Sequence, residues 1–159
     1  MQERGFSLIE LLIVVAIILI IAAIAVPSFL HSRMMANESS AVYSIRTINT
    51  AQVTYAASYP TIGYATALNT LAASTTTTTV SSSNAGILDW VLGCASVVCP
   101  KSGYNFQIAN ATGSPVSAYS VWGTPITVGT TGTRGFCSDN MNPILYDAAG
   151  GNNCTQPLE

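Results

Sequence analysis

The chain has 159 residues, room for one domain and one further segment but not for a second core of useful size. Charged residues make up 8% and the net charge is −2, far below the roughly 25% charge of ordinary soluble domains, so no basic face for nucleic acid is expected. The one histidine, and the lack of a Gly-x-Ser-x-Gly, a phosphate loop or a paired-carboxylate motif, leave catalysis without a foothold. Neither an enzyme nor a cofactor is expected.

Met1 to Gly5 is a short polar stretch in which Glu3 and Arg4 cancel, and from Leu11 to Val26 the chain is uncharged and apolar. If Phe6 to Val26 is helical at about 1.5 Å per residue, it is roughly 31 Å long and matches a hydrocarbon core of about 30 Å. Glu10 interrupts this membrane candidate, and a carboxylate at mid-bilayer costs about 2.5 to 3.5 kcal/mol. Either Glu10 snorkels from the first turn to the interface, or it has a partner. Cleavage after Gly5 would place a new α-amino group on Phe6, which a copy shifted along the helix axis could set against the carboxylate.

The run Arg4-Gly5-Phe6-Ser7-Leu8-Ile9-Glu10, followed by an apolar helix ending at Pro27, resembles the cleavage and assembly motif of type IV pilins and their pseudopilin relatives. The resemblance is strongest from Arg4 to Tyr59. It implies cleavage between Gly5 and Phe6 by a prepilin peptidase, methylation of the Phe6 amine and storage in the bacterial inner membrane. It further implies extraction into a helical homopolymer by an assembly platform and ATPases acting in trans, with Glu10 registering each subunit on its neighbour. The destination is a cell-surface pilus for adhesion, twitching motility or DNA uptake. Within the family the alternative is a pseudopilin of a type II secretion system; outside it, a membrane-anchored periplasmic binding module. An ordinary signal peptide is the rival for this N-terminus, because Ala23-Ile24-Ala25 has the small-x-small form, but its apolar region would normally be shorter and uncharged, and Pro27 closely follows the supposed cut.

The organisation expected from this reading is a leader at 1–5, a transmembrane or filament-core helix at 6–27, and the amphipathic half of the same helix at 28–59. A connecting loop at 60–100 follows, then an antiparallel sheet with a C-terminal disulfide loop at 101–159. Pro27 lacks a backbone donor and should kink or melt the helix near Val26 to Phe29. Beyond it Leu30, Met34, Ala41, Ile45, Ile48, Gln52, Tyr55 and Tyr59 recur at helical steps, with Arg33, Glu38 and Arg46 on faces expected to be solvated or subunit-facing. His31 has no ligand partner nearby.

Tyr59-Pro60 ends the helical pattern. One short helical candidate follows around Ala65 to Ala73, then a Ser/Thr tract from Ser74 to Ser83 that reads as an exposed loop or an O-glycosylated surface. From Lys101 the period changes to two. Tyr104-Asn-Phe106-Gln-Ile108, Tyr119-Ser-Val121, Arg134 to Cys137 and Pro143 to Tyr146 suggest three or four antiparallel strands. The fold class expected is therefore α+β, the type IV pilin fold, with Tyr104, Phe106, Ile108 and Val121 buried against the helical stripe. Trp90 and Trp122 are expected in the core or an interface.

Cys94, Cys99, Cys137 and Cys154 are even in number in a chain whose N-terminus sends it across a membrane, so disulfides are expected. Of three pairings, Cys94 with Cys99 and Cys137 with Cys154 is favoured, because sequence-near pairs close easily and because a C-terminal disulfide-bounded loop resembles the family's receptor-facing region. Zinc does not suit the spacing. Asp139, Asn140, Asn142, Asp147, Asn152 and Asn153 could supply calcium ligands, but turn chemistry explains the same residues, so no metal is expected.

Overall fold

A computed structural model describes residues 6–73, 79–141 and 143–158 of the chain. Gly5 and the rest of the expected leader, Ser74 to Thr78 of the Ser/Thr tract, Asn142 and Glu159 lie outside the described residues. The chain divides into two units, Met1–Arg33 and Met34–Glu159. Their secondary structure begins with helix α1, Leu8–Ser58, and the short α2, Leu68–Leu71. Six strands follow: β1 Cys99–Lys101, β2 Tyr104–Gly113, β3 Val116–Pro125, β4 Gly135–Asp139, β5 Ile144–Asp147 and β6 Gln156–Pro157.

In the first unit, α1 is apolar on every side from Leu11 to Val26, and its large side chains are all exposed. A helix without a polar face has no preferred side to bury in water, which is the pattern of a lipid or filament-core segment. Pro27 lies inside α1 and cannot donate to the Ala23 carbonyl, yet residues 26–29 remain helical.

The second unit lays the rest of α1 across the sheet. Ala41, Ile45, Ile48, Gln52 and Tyr55 are buried at three- and four-residue steps, as a helix with one face on a sheet requires. From the sheet, Tyr104, Phe106, Ile108 and Val121 meet them, all at most 8% exposed. Gly123 on β3 permits the close approach, because a β-carbon there would sit 3.0 Å from the Phe106 ring and 3.2 Å from Ile45 Cδ1. The stripe is shorter than expected: Leu30 is exposed and Tyr59 only half-buried.

All six strands are antiparallel neighbours in chain order, β1 to β6, so the α+β expectation holds but the count of three or four strands does not. The extra strands are the edge pieces Cys99-Pro-Lys101 and Gln156-Pro157. Both contain proline and are too short to show a period, so sequence pattern gives no sign of them. The segment from 60 to 98 also does more than connect. Ala65, Leu68, Leu71, Ala72, Ala85, Leu88 and Leu92 are buried, and Gln52 pins this segment to α1 by accepting from Ala65 N (2.8 Å) and donating to Ala65 O (2.9 Å).

Candidate assembly site

The N-terminal turn of α1 is closed by its own carboxylate. Ser7 O accepts from Glu10 N (3.1 Å) and Leu11 N (3.3 Å), while Ser7 N donates to Glu10 Oε2 at 3.0 Å. Ser7 is thus the N-cap, and Glu10, three residues on, reaches back to it as the acid of a capping box. The carboxylate also sits at the positive end of the helix dipole. The Ser-x-x-Glu spacing at 7–10 signals this arrangement, which adds an intrachain partner for Glu10 to the external one that the apolar run around it calls for. Phe6, immediately before the cap, is 82% exposed.

Farther along, the outward side of α1 carries a second feature suited to burial. Thr47, Thr50, Thr54 and Ser58 donate their hydroxyls to the carbonyls of Tyr43, Arg46, Thr50 and Thr54, at 2.9 to 3.0 Å. Their donors are spent within the helix, so the face presents methyl groups beside the exposed Tyr43 and Val53. These four hydroxyls can be covered without leaving an unpaired donor. Arg46 stands on it without an ion-pair partner among the described residues.

Glu38 departs from its expected exposed position. It is 3% exposed and its Oε2 lies 2.7 Å from Arg134 Nη2. Its Oε1 accepts from Thr133 N (2.9 Å), Thr133 Oγ1 (2.8 Å) and Arg134 N (3.2 Å). A full set of donors and a counter-ion is what allows a carboxylate to be buried. This pair belongs to the architecture of the unit.

At the C-terminal end, Cys94 is bonded to Cys99 and Cys137 to Cys154, with Cα separations of 5.6 and 5.9 Å. Asp147 shapes the larger loop, its Oδ1 accepting from Ala149 N (2.9 Å) and its Oδ2 from Asn153 N (3.2 Å). Asp139 Oδ1 accepts from Met141 N at 2.9 Å. These carboxylates therefore serve turns, and no cluster with metal-ligand character occurs among the described residues. Beside this loop an open cleft of about 270 Å³ is lined by Asn110, Ser120, Trp122, Asp139 and Asn152 among others. Trp122 is half-buried there and Trp90 is exposed, so neither belongs to the core.

Residues 1–26 match the prokaryotic N-terminal methylation motif. By this segment the chain is similar to type IV pilins. The chain is 46% identical over 54 residues to the type IV major pilin protein PilA of Myxococcus xanthus, a match covering 34% of this chain and 24% of that protein. It is 56% identical over 38 residues to the type IV wide pilus major component PilA4 of Thermus thermophilus, covering 24% of this chain and 29% of that one. The chain thus spans about a quarter of the length of these relatives. No solved structure matches it.

Proposed function

We propose that this chain is a type IV pilin, a filament subunit made as a precursor. A prepilin peptidase cleaves it after Gly5, its new amine on Phe6 is methylated, residues 6–27 hold it in the inner membrane, and copies then polymerise into a cell-surface pilus. The observation that carries the proposal is the Ser7–Glu10 cap within the matched motif. In the bilayer, Ser7 N–H and the helix dipole reduce the cost of burying Glu10. In the filament, the Phe6 ammonium of a neighbouring copy offers a charged partner in place of an amide, and charge-assisted bonds are the stronger kind.

The apolar side chains of residues 8–26 supply the driving force after extraction. Lipid already shelters them in the membrane, so their burial favours assembly only once lipid is left behind. Each is then worth about 1.5 to 3 kcal/mol relative to water. The back-bonded hydroxyl face of residues 47–58 supports the same reading, because it can pack against a copy at no hydrogen-bond cost. Naming of both relatives as major pilus components favours a pilus over a secretion pseudopilus. Adhesion, twitching motility and DNA uptake are the roles such a fibre would serve.

Peptide and intact mass spectrometry of the sheared surface fraction tests this. The expected chain begins at methylated Phe6 and is lighter by two protons for each disulfide. A chain beginning at Met1 and confined to membranes would make it an anchored periplasmic module; one beginning at Val26 would make it a secreted protein with an ordinary signal peptide.

A further inference from the structure

We propose that Arg46 of one copy of this chain seats in the cleft at Trp122 and Asp139 of a second copy, a contact that stacks the folded units head to tail. The proposal rests on the filament reading given above and names two surfaces that meet in it.

Within the unit from Met34 onward, these two charges are left over when the others are matched. Among the described residues Lys101 lies 3.7 Å from Asp89 and Arg134 lies 2.7 Å from Glu38, while Arg46 has no acid beside it. Asp147 spends both carboxylate oxygens on the backbone N–H groups of Ala149 and Asn153. Asp139 spends only Oδ1, on Met141 N at 2.9 Å, and its Oδ2 meets no donor or cation among the described residues. A chain that is only 8% charged thus leaves one cation and one carboxylate oxygen uncommitted in this unit.

The two stand on opposite sides of it. Ser138 Oγ accepts from Asn49 Nδ2 of α1 at 2.7 Å, so Ser138 faces the helix and its neighbour Asp139 faces away. Trp122 follows the buried Val121 in the same alternation. Because β3 pairs with β4 through Ser120 with Asp139 and Trp122 with Cys137, Trp122 and Asp139 share the outer face of the sheet. Arg46 is exposed on the side of α1 turned from the buried stripe of Ala41, Ile45 and Ile48. Helix and sheet both lie between the two charges, which excludes a pair within one copy. Different patches on opposite sides of a unit meet in a heterologous contact, the kind that repeats into an open filament when its rotation does not close.

The cleft suits a guanidinium. It has a volume of about 270 Å³ and no cation among its lining residues. Asp139 supplies a carboxylate for the charge, the half-buried Trp122 ring a surface for the planar group, and the exposed carboxamides of Asn110 and Asn152 acceptors for its other N–H groups. Arg46 in turn borders two open grooves of about 350 Å³ each along α1. The hydroxyls of Thr47, Thr50 and Thr54 around it already donate to the helix, so a partner that satisfies the guanidinium can cover this ground.

The test uses the full-length chain in cells that assemble it, with subunit measured in both the membrane and shear fractions. Arg46→Asp and Asp139→Arg should each cut fibres several-fold at unchanged membrane levels, and the double variant, with the charges exchanged, should restore them. Asp139→Asn keeps an acceptor for Met141 N and should lose fibres too, which separates the charge from the turn that Oδ1 closes. As a second measurement that leaves both charges in place, Thr50→Cys with Asn152→Cys puts free thiols beside Arg46 and on the cleft, the native cysteines being paired. A short bismaleimide added to intact fibres should link these subunits into a ladder. Wild-type fibre levels in both single charge variants, a double variant no better than either single one, or fibres that yield only unlinked subunits would each overturn the proposal and leave the filament reading intact. A wild-type chain that gives no fibres removes the filament reading and this inference with it.

Discussion

Glu38 and Arg134, ninety-six residues apart in the chain, meet at 2.7 Å between Oε2 and Nη2 and join the start of the packed half of α1 to the entrance of β4. The guanidinium also lies 5.5 Å from the Phe136 ring centroid and 5.3 Å from that of Tyr146, so one arginine ties the helix to two strands.

Replacing Glu38 by alanine should therefore be costly. Arg134 would be left without a counter-ion, and Thr133 and Arg134 would lose the acceptor for both backbone N–H groups. Removing one partner of a buried pair costs about 3 to 5 kcal/mol. The lower end is expected here because the Arg134 side chain is 34% exposed. Denaturant titration of the full-length chain in detergent, followed by tryptophan fluorescence, measures it; a loss below about 1 kcal/mol, the level of an exposed pair, would contradict the buried assignment.

The same carboxylate gives the protein a low-pH limit. Burial pushes the Glu38 carboxyl up, but the hydrogen bonds from Thr133 and Arg134 together outweigh it and hold it below its ordinary value of 4.5. A carboxyl lowered on folding contributes stability that is fully present above the unfolded value and is lost as pH falls through the folded one. Denaturation midpoints should accordingly be flat from neutrality to about pH 5 and decline below about pH 4, with a shallower decline in Glu38→Gln. Parallel profiles for the two proteins would assign the acid limit to other groups.

Ser44 points the other way. It is 1% exposed and its Oγ has no hydrogen-bond partner among the described residues. A buried hydroxyl without a partner costs about 1 to 3 kcal/mol, so Ser44→Ala should stabilise the protein, by about 1 kcal/mol once the loss of packing is included. Destabilisation of that size would mean that the hydroxyl is hydrogen-bonded in solution.

Glu10 separates assembly from folding. Glu10→Leu removes the cap on Ser7 and the proposed inter-subunit partner but touches nothing in the unit from Met34 onward. Subunits should be made, cleaved and stored at normal levels, with few or no fibres in the shear fraction. Normal fibres composed of this variant alone would remove the registering role of Glu10.

Much of this was legible from local pattern. The 3.6 period through Ala41, Ile45, Ile48, Gln52 and Tyr55, and the period of two through Tyr104, Phe106 and Ile108, each name a buried face without knowledge of the other. Ser7 and Glu10 were legible too, through Ser-x-x-Glu. Glu38 was not: a charged residue on a helix reads as solvated, and nothing near it in sequence announces Arg134. Nor was the full contribution of residues 65–92: Ala65, Leu68 and Leu71, and again Ala85, Leu88 and Leu92, are buried at three- and four-residue steps, but each run is too short for its period to stand out, and the two are joined by contacts such as Leu88 N to Leu71 O.

The division between sequence and structure follows the range of the forces involved. An apolar segment of membrane length, a processing motif beside it, and alternation of apolar and polar residues are short-range properties, set by residues within a few positions of one another, and they specify a pilin-like N-terminus and an α+β class. Which carboxylate is buried and how many strands extend the sheet depend on contacts between residues tens of positions apart. Burial and hydrogen bonding at those contacts exist only once the chain has closed on itself, so folding, and no local pattern, chose Glu38, β1 and β6.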